Sequence, residues 1–123
     1  MKQERNLLLT TSQLCNVKGK EFQRSIAIKK MRGLSKNTTP GNDEFVVHVS
    51  DEYDYRFICP LRDELFTSIK AVYFQAMNTN LPIYGTEKNL KEFATSKKDV
   101  KDKVERIPPA SCRLHDEDVY EPI

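Results

Sequence analysis

The sequence contains no apolar run that approaches the roughly 20 residues a membrane-spanning helix needs. Its first residues, MKQERNLLLTT, hold three leucines and lack the apolar core of about 7–15 residues that marks a signal peptide. Cysteine is scarce too: Cys15, Cys59 and Cys112 are scattered and odd in number, so they indicate neither a disulfide framework nor a zinc site. These absences predict a soluble cytoplasmic protein with reduced thiols and no transmembrane segment.

Motifs of catalysis are also lacking. The chain has no P-loop, no protein-kinase catalytic loop and no GxSxG nucleophile elbow. Of its two histidines, His48 stands alone in a strand-like run, where a structural role is the simplest interpretation. His115 adjoins carboxylates without the spacing of a second metal ligand. We therefore predict that the protein is not an enzyme and that it holds no cofactor and no metal.

The residues that are present fit one small domain followed by an extension. The chain has 123 residues, of which 31% are charged, and most of its apolar residues lie before Met77. We predict a domain over residues 1–78 and a C-terminal extension over residues 79–123. In the extension, NLKEFATS predicts a short helix, and the remaining polar, Pro-Pro-containing sequence predicts a mostly irregular, extended tail.

Alternating apolar residues predict a series of short strands in the domain. RNLLLTTSQLCNVKGK has the pattern of two strands, in which Leu7 and Leu9 share one face, and Ile26 and Ile28 mark a third strand. A bulge or bend is expected at Gly33, and TTPGND predicts a tight turn.

The stretch EFVVHVSDEYDYRFIC contains the clearest strands. Period-2 alternation places Asp54 and Arg56 on the face opposite the aromatic residues, which are more often core than cofactor-binding. Six residues are predicted to share one core face: Phe45, Val47, Val49, Tyr53, Tyr55 and Phe57.

The spacing then changes to that of an amphipathic helix, which starts near Pro60 and runs for about four to five turns. Its apolar positions recur at i+3 and i+4: Leu61, Leu65, Ile69, Val72, Tyr73 and Ala76. We expect this helix to pack on the preceding sheet.

Several of these segments, in this order, resemble the tail homology 1 domain of class I myosins, and more closely the related domain attached to some protein kinases of unicellular eukaryotes. The segments are RNLLLTTSQLCNVKG, RSIAIKKMRGLSKNTTPGNDEFVVHV, YDYRF and RDELFTSIKAVYF. The resemblance spans about residues 4–95 and departs from the family pattern at Ala27 and Met31. It implies an α+β, pleckstrin-homology-like fold: an antiparallel β-barrel or sheet capped by a C-terminal amphipathic helix.

The resemblance also implies at least one strand before Arg5, where only MKQE is present. We therefore expect a barrel that is incomplete at its first strand. An unpaired strand edge is a template for pairing with another chain, so this early edge is a candidate docking site.

Charge is distributed unevenly along the chain. The net charge is +7 in residues 1–36 and −5 in residues 37–66, then +3 in residues 67–106 and −3 in residues 107–123. The basic first segment predicts an anionic partner, and acidic phospholipids or phosphoinositides are the ones the resemblance implies. Nucleic acid is disfavoured because the aromatic residues are assigned to the core. The candidate anion-binding residues are Lys18, Lys20, Arg24, Lys29, Lys30 and Arg32.

Two functions follow from these patterns. The favoured one is a non-enzymatic protein-interaction or scaffolding module. It would be a small structural subunit that docks in a larger, cytoskeletal or ciliary assembly through the early strand edge and residues 96–123. The alternative is a peripheral membrane-targeting domain that binds acidic phospholipids through the basic early strands. A shared fold does not decide between them.

Overall fold

Two β-sheets and one long helix form the framework of the computed structural model, which describes residues 5–115. The first sheet is an antiparallel meander of β1 (Asn6–Leu9), β2 (Gln13–Lys18) and β3 (Glu21–Ala27). The second sheet has the order β6-β5-β4-β7. Its strands are β4 (Met31–Asn37), β5 (Glu44–Val49), β6 (Tyr55–Ile58) and β7 (Ile83–Thr86).

This architecture confirms the α+β class, while the described strands do not close a barrel. β4, β5 and β6 are antiparallel, and β7 joins the outer side of β4 in parallel. Within residues 5–115, no strand pairs with the outer edge of β1 or of β6. The two sheets are linked through the short 3-10 turn Ile28–Lys30, which lies between β3 and β4.

Local sequence signals account for several of these elements. Gly41 has φ of 83°, a conformation that glycine adopts without steric cost, and it turns the chain between β4 and β5. The pairing of β4 with β5 shifts register between Met31 and Gly33, where a bulge was expected. The long helix α1 (Arg62–Met77) occupies the predicted segment and ends at Asn78, a residue in the left-handed conformation.

The core lies between the sheets and α1. The helix contributes Phe66, Ile69 and Tyr73, which are all at least 93% buried. Both faces of β5 are buried, because Val46 and His48 are as inaccessible as the residues on the predicted core face. The strands and the 3-10 turn between β3 and β4 also contribute core residues. These include Leu14, Ile26, Ile28, Leu34, Phe45, Val47, Val49 and Ile83.

The segment after α1 belongs to the same core. Leu81, Ile83 and Leu90 are fully buried, and β7 completes the second sheet. The predicted short helix is a 3-10 turn, Leu90–Phe93, and a second helix, α2 (Lys97–Lys101), follows it. The domain boundary at residue 78 stays a prediction about folding units. Among the described residues, no helix has the length and apolarity needed to cross a membrane.

Polar contacts fasten the rest of the extension to the second sheet. Arg113 forms an isolated antiparallel bridge with Tyr84, and the backbone N–H of Leu114 donates to the carbonyl of Ile83 at 2.8 Å. Arg32 of β4 reaches the Glu105 carboxylate at 3.5 Å. The extension up to residue 115 therefore contacts its own chain at several points, whereas its composition predicted a mostly irregular, extended tail.

Candidate functional site

A groove lies beside β1 and β6, the two strands whose outer edges are unpaired within residues 5–115. It has a volume of about 890 Å³ and opens to solvent beside the start of α1. Residues 5–7 line it from the side of the first sheet together with Asn16 of β2 and Gln23 of β3, and Tyr53 and residues 55–59 line it from the side of the second. The groove is therefore bordered by residues of both sheets, including residues of β1 and β6.

Aromatic side chains form the floor of the groove on the β6 side. The rings of Tyr55 and Phe57 are stacked, with centroids 4.8 Å apart and an interplanar angle of 4°. Phe57 contacts Phe45 of the core at 5.3 Å, and Phe45 in turn meets Phe66 of α1 edge-on at 5.4 Å. Because this row of rings is anchored in the core, the floor of the groove is held rigidly.

The rim of the groove is partly apolar. Ile58 at the end of β6 is 59% exposed, and Leu61 before α1 is 60% exposed. Single exposed apolar residues are common on protein surfaces, but here two lie beside the same open strand edge. The charged Arg56 on β6 is paired with Glu44 of β5 at 3.2 Å.

One end of the groove is polar. The amide of Asn16, a residue that is only 7% exposed, donates from Nδ2 to the Tyr55 hydroxyl at 2.8 Å. Arg24 is the cross-strand neighbour of Asn16 in the register of β2 and β3. Its guanidinium lies over the ring of Tyr53 at 3.8 Å and over the ring of Tyr55 at 4.5 Å, so it joins the two sheets by cation–π contacts.

The predicted anion-binding residues do not form one cluster. Lys18 and Lys20 flank the turn between β2 and β3, whereas Lys29 and Lys30 lie beyond the other end of β3. Seven residues of β3 separate the two pairs, a distance of about 20 Å at 3.3 Å per residue.

The other members of that set contact acidic groups of the chain itself. Arg24, with a side chain 9% exposed, donates to the carbonyl of Tyr53 and lies 3.9 Å from Glu52. Lys30 reaches the same Glu52 at 3.8 Å, and Arg32 pairs with Glu105. Lys18, Lys20 and Lys29 are exposed. The anion site stays a prediction, and the geometry supplies these three exposed lysines for it at two separate places, while a fourth, Lys30, is exposed but paired with Glu52.

A second polar constellation is buried under the sheet. His48 Nδ1 lies 2.8 Å from Asp54 Oδ2, and His48 Nε2 lies 2.5 Å from the Ser35 hydroxyl. The order Ser, His, carboxylate is that of a hydrolytic triad. Ser35 and His48 are fully inaccessible, however, so a substrate cannot reach the hydroxyl in this conformation.

The role of this buried network is to tie three segments together. Asp54 also accepts from the backbone N–H of Val49 at 2.9 Å and from that of Thr95 at 3.0 Å. The backbone N–H of Asp54 donates to the Thr95 carbonyl at 2.8 Å. Both carboxylate oxygens thereby have hydrogen-bond partners, which lets this side chain be buried. The period-2 pattern placed Asp54 on the face opposite the aromatic residues, and this face is buried at Asp54 although charged residues of such a pattern mostly face solvent.

The same extension contains a tight ion pair. The guanidinium of Arg106 donates to both carboxylate oxygens of Asp99, at 2.8 Å and 3.2 Å. These hydrogen bonds, together with those from Ser96, hold the pKa of the Asp99 carboxyl well below its usual range. The pair raises the pKa of Arg106 in return. The backbone N–H of Arg106 also donates to the Thr95 hydroxyl at 2.8 Å, so the pair is linked to the buried network.

Metal binding finds no support in residues 5–115, where no group of three or more His, Cys, Asp or Glu side chains is arranged to hold an ion. The acidic residues that follow His115 lie outside the described residues.

Comparisons with protein-family models, with curated proteins and with solved structures give no match for this chain.

The sequence pattern predicted an open early strand edge, but it did not predict the groove. The missing information was the position of β6, since period-2 alternation does not show which strands of two sheets come to lie side by side. It did suggest the side chains of the floor, because Tyr55 and Phe57 were both assigned to an aromatic face.

Proposed function

We propose that the protein is a non-enzymatic interaction module that binds an extended segment of a partner protein as an added β-strand between β1 and β6. The observation that carries this proposal is one groove lined by residues of β1 and of β6, the strands whose outer edges are unpaired within residues 5–115. Each free edge presents a row of backbone N–H and C=O groups that another strand satisfies. Strand addition uses those groups for affinity and the groove for specificity.

The dimensions of the groove favour a short strand. β1 and β6 each have four residues, which corresponds to about 13 Å at 3.3 Å per residue. A strand of that length sends alternate side chains into the groove, toward Leu7, Phe57 and Leu65. A helix would leave the edge groups of both strands without partners, so an extended segment is the better occupant.

The order of elements supports a pleckstrin-homology-like domain of the tail homology 1 type, with six strands followed by a helix that packs on the core. Within residues 5–115, the outer edge of β1 is open. On this proposal, the partner strand completes the sheet at that edge.

The same module would serve as a small structural subunit of a larger assembly. Its place in a cytoskeletal or ciliary structure remains a prediction from the sequence. The predicted docking through residues 96–123 now has to take account of the intramolecular contacts of residues 96–115, such as Arg106 with Thr95 and Asp99. Residues 116–123 lie outside the described residues and keep their predicted role.

The test is selection of peptides followed by mapping. A display library of random heptapeptides is selected against the full chain, and hydrogen exchange is measured with and without a selected peptide. We expect protection of backbone amides in β1 and β6, because these become hydrogen-bonded to the added strand. Selected peptides that leave both strands unprotected would contradict strand addition.

A thiol-blocking experiment localises the binding site. Cys59 lines the groove, whereas Cys112 lies in the extension and Cys15 is buried. A bulky maleimide attached to Cys59 in a Cys112→Ser variant should abolish peptide binding by occupying the groove. The matched control is the Cys59→Ser variant labelled at Cys112, which should bind normally. Binding that survives the label at Cys59 would refute the site.

The lipid alternative is tested in parallel by co-sedimentation with phosphatidylserine-containing vesicles. The three exposed lysines provide the charge, and each basic residue near an acidic leaflet contributes about 1 kcal/mol. Because Lys18 and Lys20 are distant from Lys29, we expect no stable sedimentation at physiological salt. Stable binding that is lost on charge reversal of all three would favour the membrane function over strand addition.

A further inference from the structure

The outer edge of β1 presents the backbone groups of two leucines. The N–H of Thr10 donates to the carbonyl of Gln13 at 2.9 Å, so these two residues face each other as a hydrogen-bonded pair of the hairpin of β1 and β2. Hydrogen-bonded and non-hydrogen-bonded pairs alternate along an antiparallel ladder. Leu8 is therefore bonded to β2, whereas the N–H and C=O groups of Leu7 and Leu9 point to the outer edge, where no described strand lies.

The side chains of β1 are apolar on both faces of the strand, and none of them is fully buried. Leu7 and Leu9 pack partly against the core, and Leu8, on the opposite face, is 49% exposed. With Asn6, they make a strand of four residues that contains no charge and no proline. Because cross-strand neighbours pack against each other, the best complement of this edge is a short, uncharged strand that is apolar on both faces. β1 itself has this pattern, so the chain carries its own complement.

We infer that two copies of the chain pair through β1 as an antiparallel dimer whose two-fold axis passes at Leu8. The inference deepens the proposed function, on which it rests for the docking role of the β1 edge, by naming the occupant of that edge when no partner strand is bound. In this register Leu7 of each copy forms a hydrogen-bonded pair with Leu9 of the other copy. Leu8 lies opposite Leu8 of the second copy at a non-hydrogen-bonded position, where side chains come closest, so both exposed leucines leave solvent.

Charge and symmetry favour this antiparallel arrangement over a parallel one. Arg5 directly precedes β1, and in the antiparallel register the two copies of Arg5 lie about six positions apart, or about 20 Å at 3.4 Å per residue. A parallel pair in register would place the two guanidinium groups side by side, where like charges repel. The two-fold arrangement also closes on itself, because each copy uses its β1 edge and offers no second β1 edge to a third chain. An edge that would otherwise template aggregation is thereby protected.

The dimer should be weak, and it should compete with a partner strand. Since β1 has four residues, the pairing buries less than the area of a standard protein interface, about 1,600 Å². We expect a reversible dimer with a dissociation constant in the micromolar range, so that the monomer prevails in dilute solution. A partner strand needs the same N–H and C=O groups of Leu7 and Leu9. Its binding should therefore convert dimers into monomers, which makes the dimer the resting state of the docking edge.

The test is sedimentation velocity of the full chain over a range of concentrations, with charges placed at the proposed two-fold axis. Leu8→Lys sets two ammonium groups opposite each other and should raise the dissociation constant at least about tenfold, and Leu8→Glu should do the same with two carboxylates. An equimolar mixture of Leu8→Lys and Leu8→Glu should dimerise again, because opposite charges then meet across the axis. The matched control is Phe22→Lys, which alters a residue of β3 that is 63% exposed and lies away from the β1 edge, and it should keep the dimer.

A second measurement uses the unmodified chain, so it does not depend on the folding of any variant. Adding a selected peptide to the dimer should produce monomers that carry the peptide. A dimer that persists with the peptide bound would overturn the inference, because the two occupants would not share the β1 edge.

The possible outcomes separate the two proposals. The dimer is overturned if the chain stays monomeric up to about 1 mM, if Leu8→Lys leaves the dissociation constant unchanged, or if the mixture of Leu8→Lys and Leu8→Glu stays monomeric. Peptides that protect β1 and β6 would in that case still support strand addition. If the chain dimerises at Leu8 but no peptide protects these two strands, the dimer stands and the proposed function fails.

Discussion

The two outer edges of the second sheet are treated in opposite ways. At the β7 edge, the chain folds its own extension over the strand, with Arg113 bridging Tyr84 and Leu114 bonded to Ile83. At the β6 edge, no described segment covers the strand, and the groove with β1 remains open. Among residues 5–115, one edge of the sheet is thus covered and the other is open.

The difference bears on how the open edge should be interpreted. Proteins commonly blunt free edges with charge, proline, bulges or a covering loop. The β1 edge, Asn6–Leu9, contains neither a charged residue nor a proline, although the chain uses such a cover elsewhere. Selective protection favours a docking role for the uncovered edge.

The largest effect is expected from Asp54→Ala. The substitution leaves the backbone N–H groups of Val49 and Thr95, and the ring of His48, buried without their shared acceptor. Removing one partner of a buried, hydrogen-bonded charge typically costs about 3–5 kcal/mol, and we expect a loss in that range. Urea unfolding followed by circular dichroism measures it.

Two further variants help to explain the loss of stability in Asp54→Ala. Asp54→Asn preserves one acceptor and the side-chain shape, so it should lose less than Asp54→Ala. Asp63→Ala removes a carboxylate that is 74% exposed and pairs with Arg62 and Lys36, and pairs of such solvent-exposed carboxylates contribute about 0–1 kcal/mol. Equal losses for Asp54→Ala and Asp63→Ala would show that the network does not hold the extension to the sheet.

A smaller effect is expected where the extension crosses β7. A Cβ atom at Gly85 would lie 2.8 Å from a methyl group of Thr38 and 3.0 Å from one of Leu114. Gly85→Ala should therefore push Leu114 away and cost about 1–3 kcal/mol, as overpacking usually does. Hydrogen exchange should rise at the amide of Leu114 while that of β5 stays unchanged. Unaltered exchange at Leu114 would mean that the extension is not seated against Gly85.

How much of the fold and of the groove could be predicted from the sequence depends on how far apart in the chain the contacting residues are. The strands and α1 were predictable, because their apolar periods are local and strong. The burial of Asp54 was not, since its partner Thr95 is 41 positions away and a charged residue beside Tyr53 has the pattern of an exposed one. Arg24 was predicted to belong to an anion site because the residues that bury it are also distant in the sequence. Its guanidinium lies over the rings of Tyr53 and Tyr55.

The extension was unpredictable for a different reason. Its low apolar content indicated a tail without structure, because apolar burial is the usual source of order. Hydrogen bonds hold much of it instead, through the capping box of Ser96 with Asp99 and the pair of Asp99 with Arg106. Such contacts depend on specific geometry, which composition does not reveal.

That ion pair gives a pH prediction. Because the pKa of Asp99 is lowered, its contribution to stability is complete above the ordinary aspartate pKa of about 4 and is lost as the pH falls through the lowered value. In a carbon-detected titration, Asp99 should show no midpoint near pH 4. Arg106→Ala should return the midpoint toward that value, since the hydrogen bonds from Arg106 are the main cause of the shift. A midpoint near 4 in the unmodified protein would show that the pair is not formed in solution.

The smallest effect on stability, and the most direct test of the open edge, is expected from Ile58→Lys. Ile58 is 59% exposed, so the substitution should change the free energy of unfolding by no more than about 0.5 kcal/mol. A lysine on an edge strand opposes the pairing of another strand, so binding of a selected peptide should fall at least about tenfold. Val104→Lys alters an apolar residue of the extension that is 41% exposed and does not line the groove, and it should leave binding intact. If both variants bind normally, β6 is not part of the docking edge, and its exposure needs no partner to explain it.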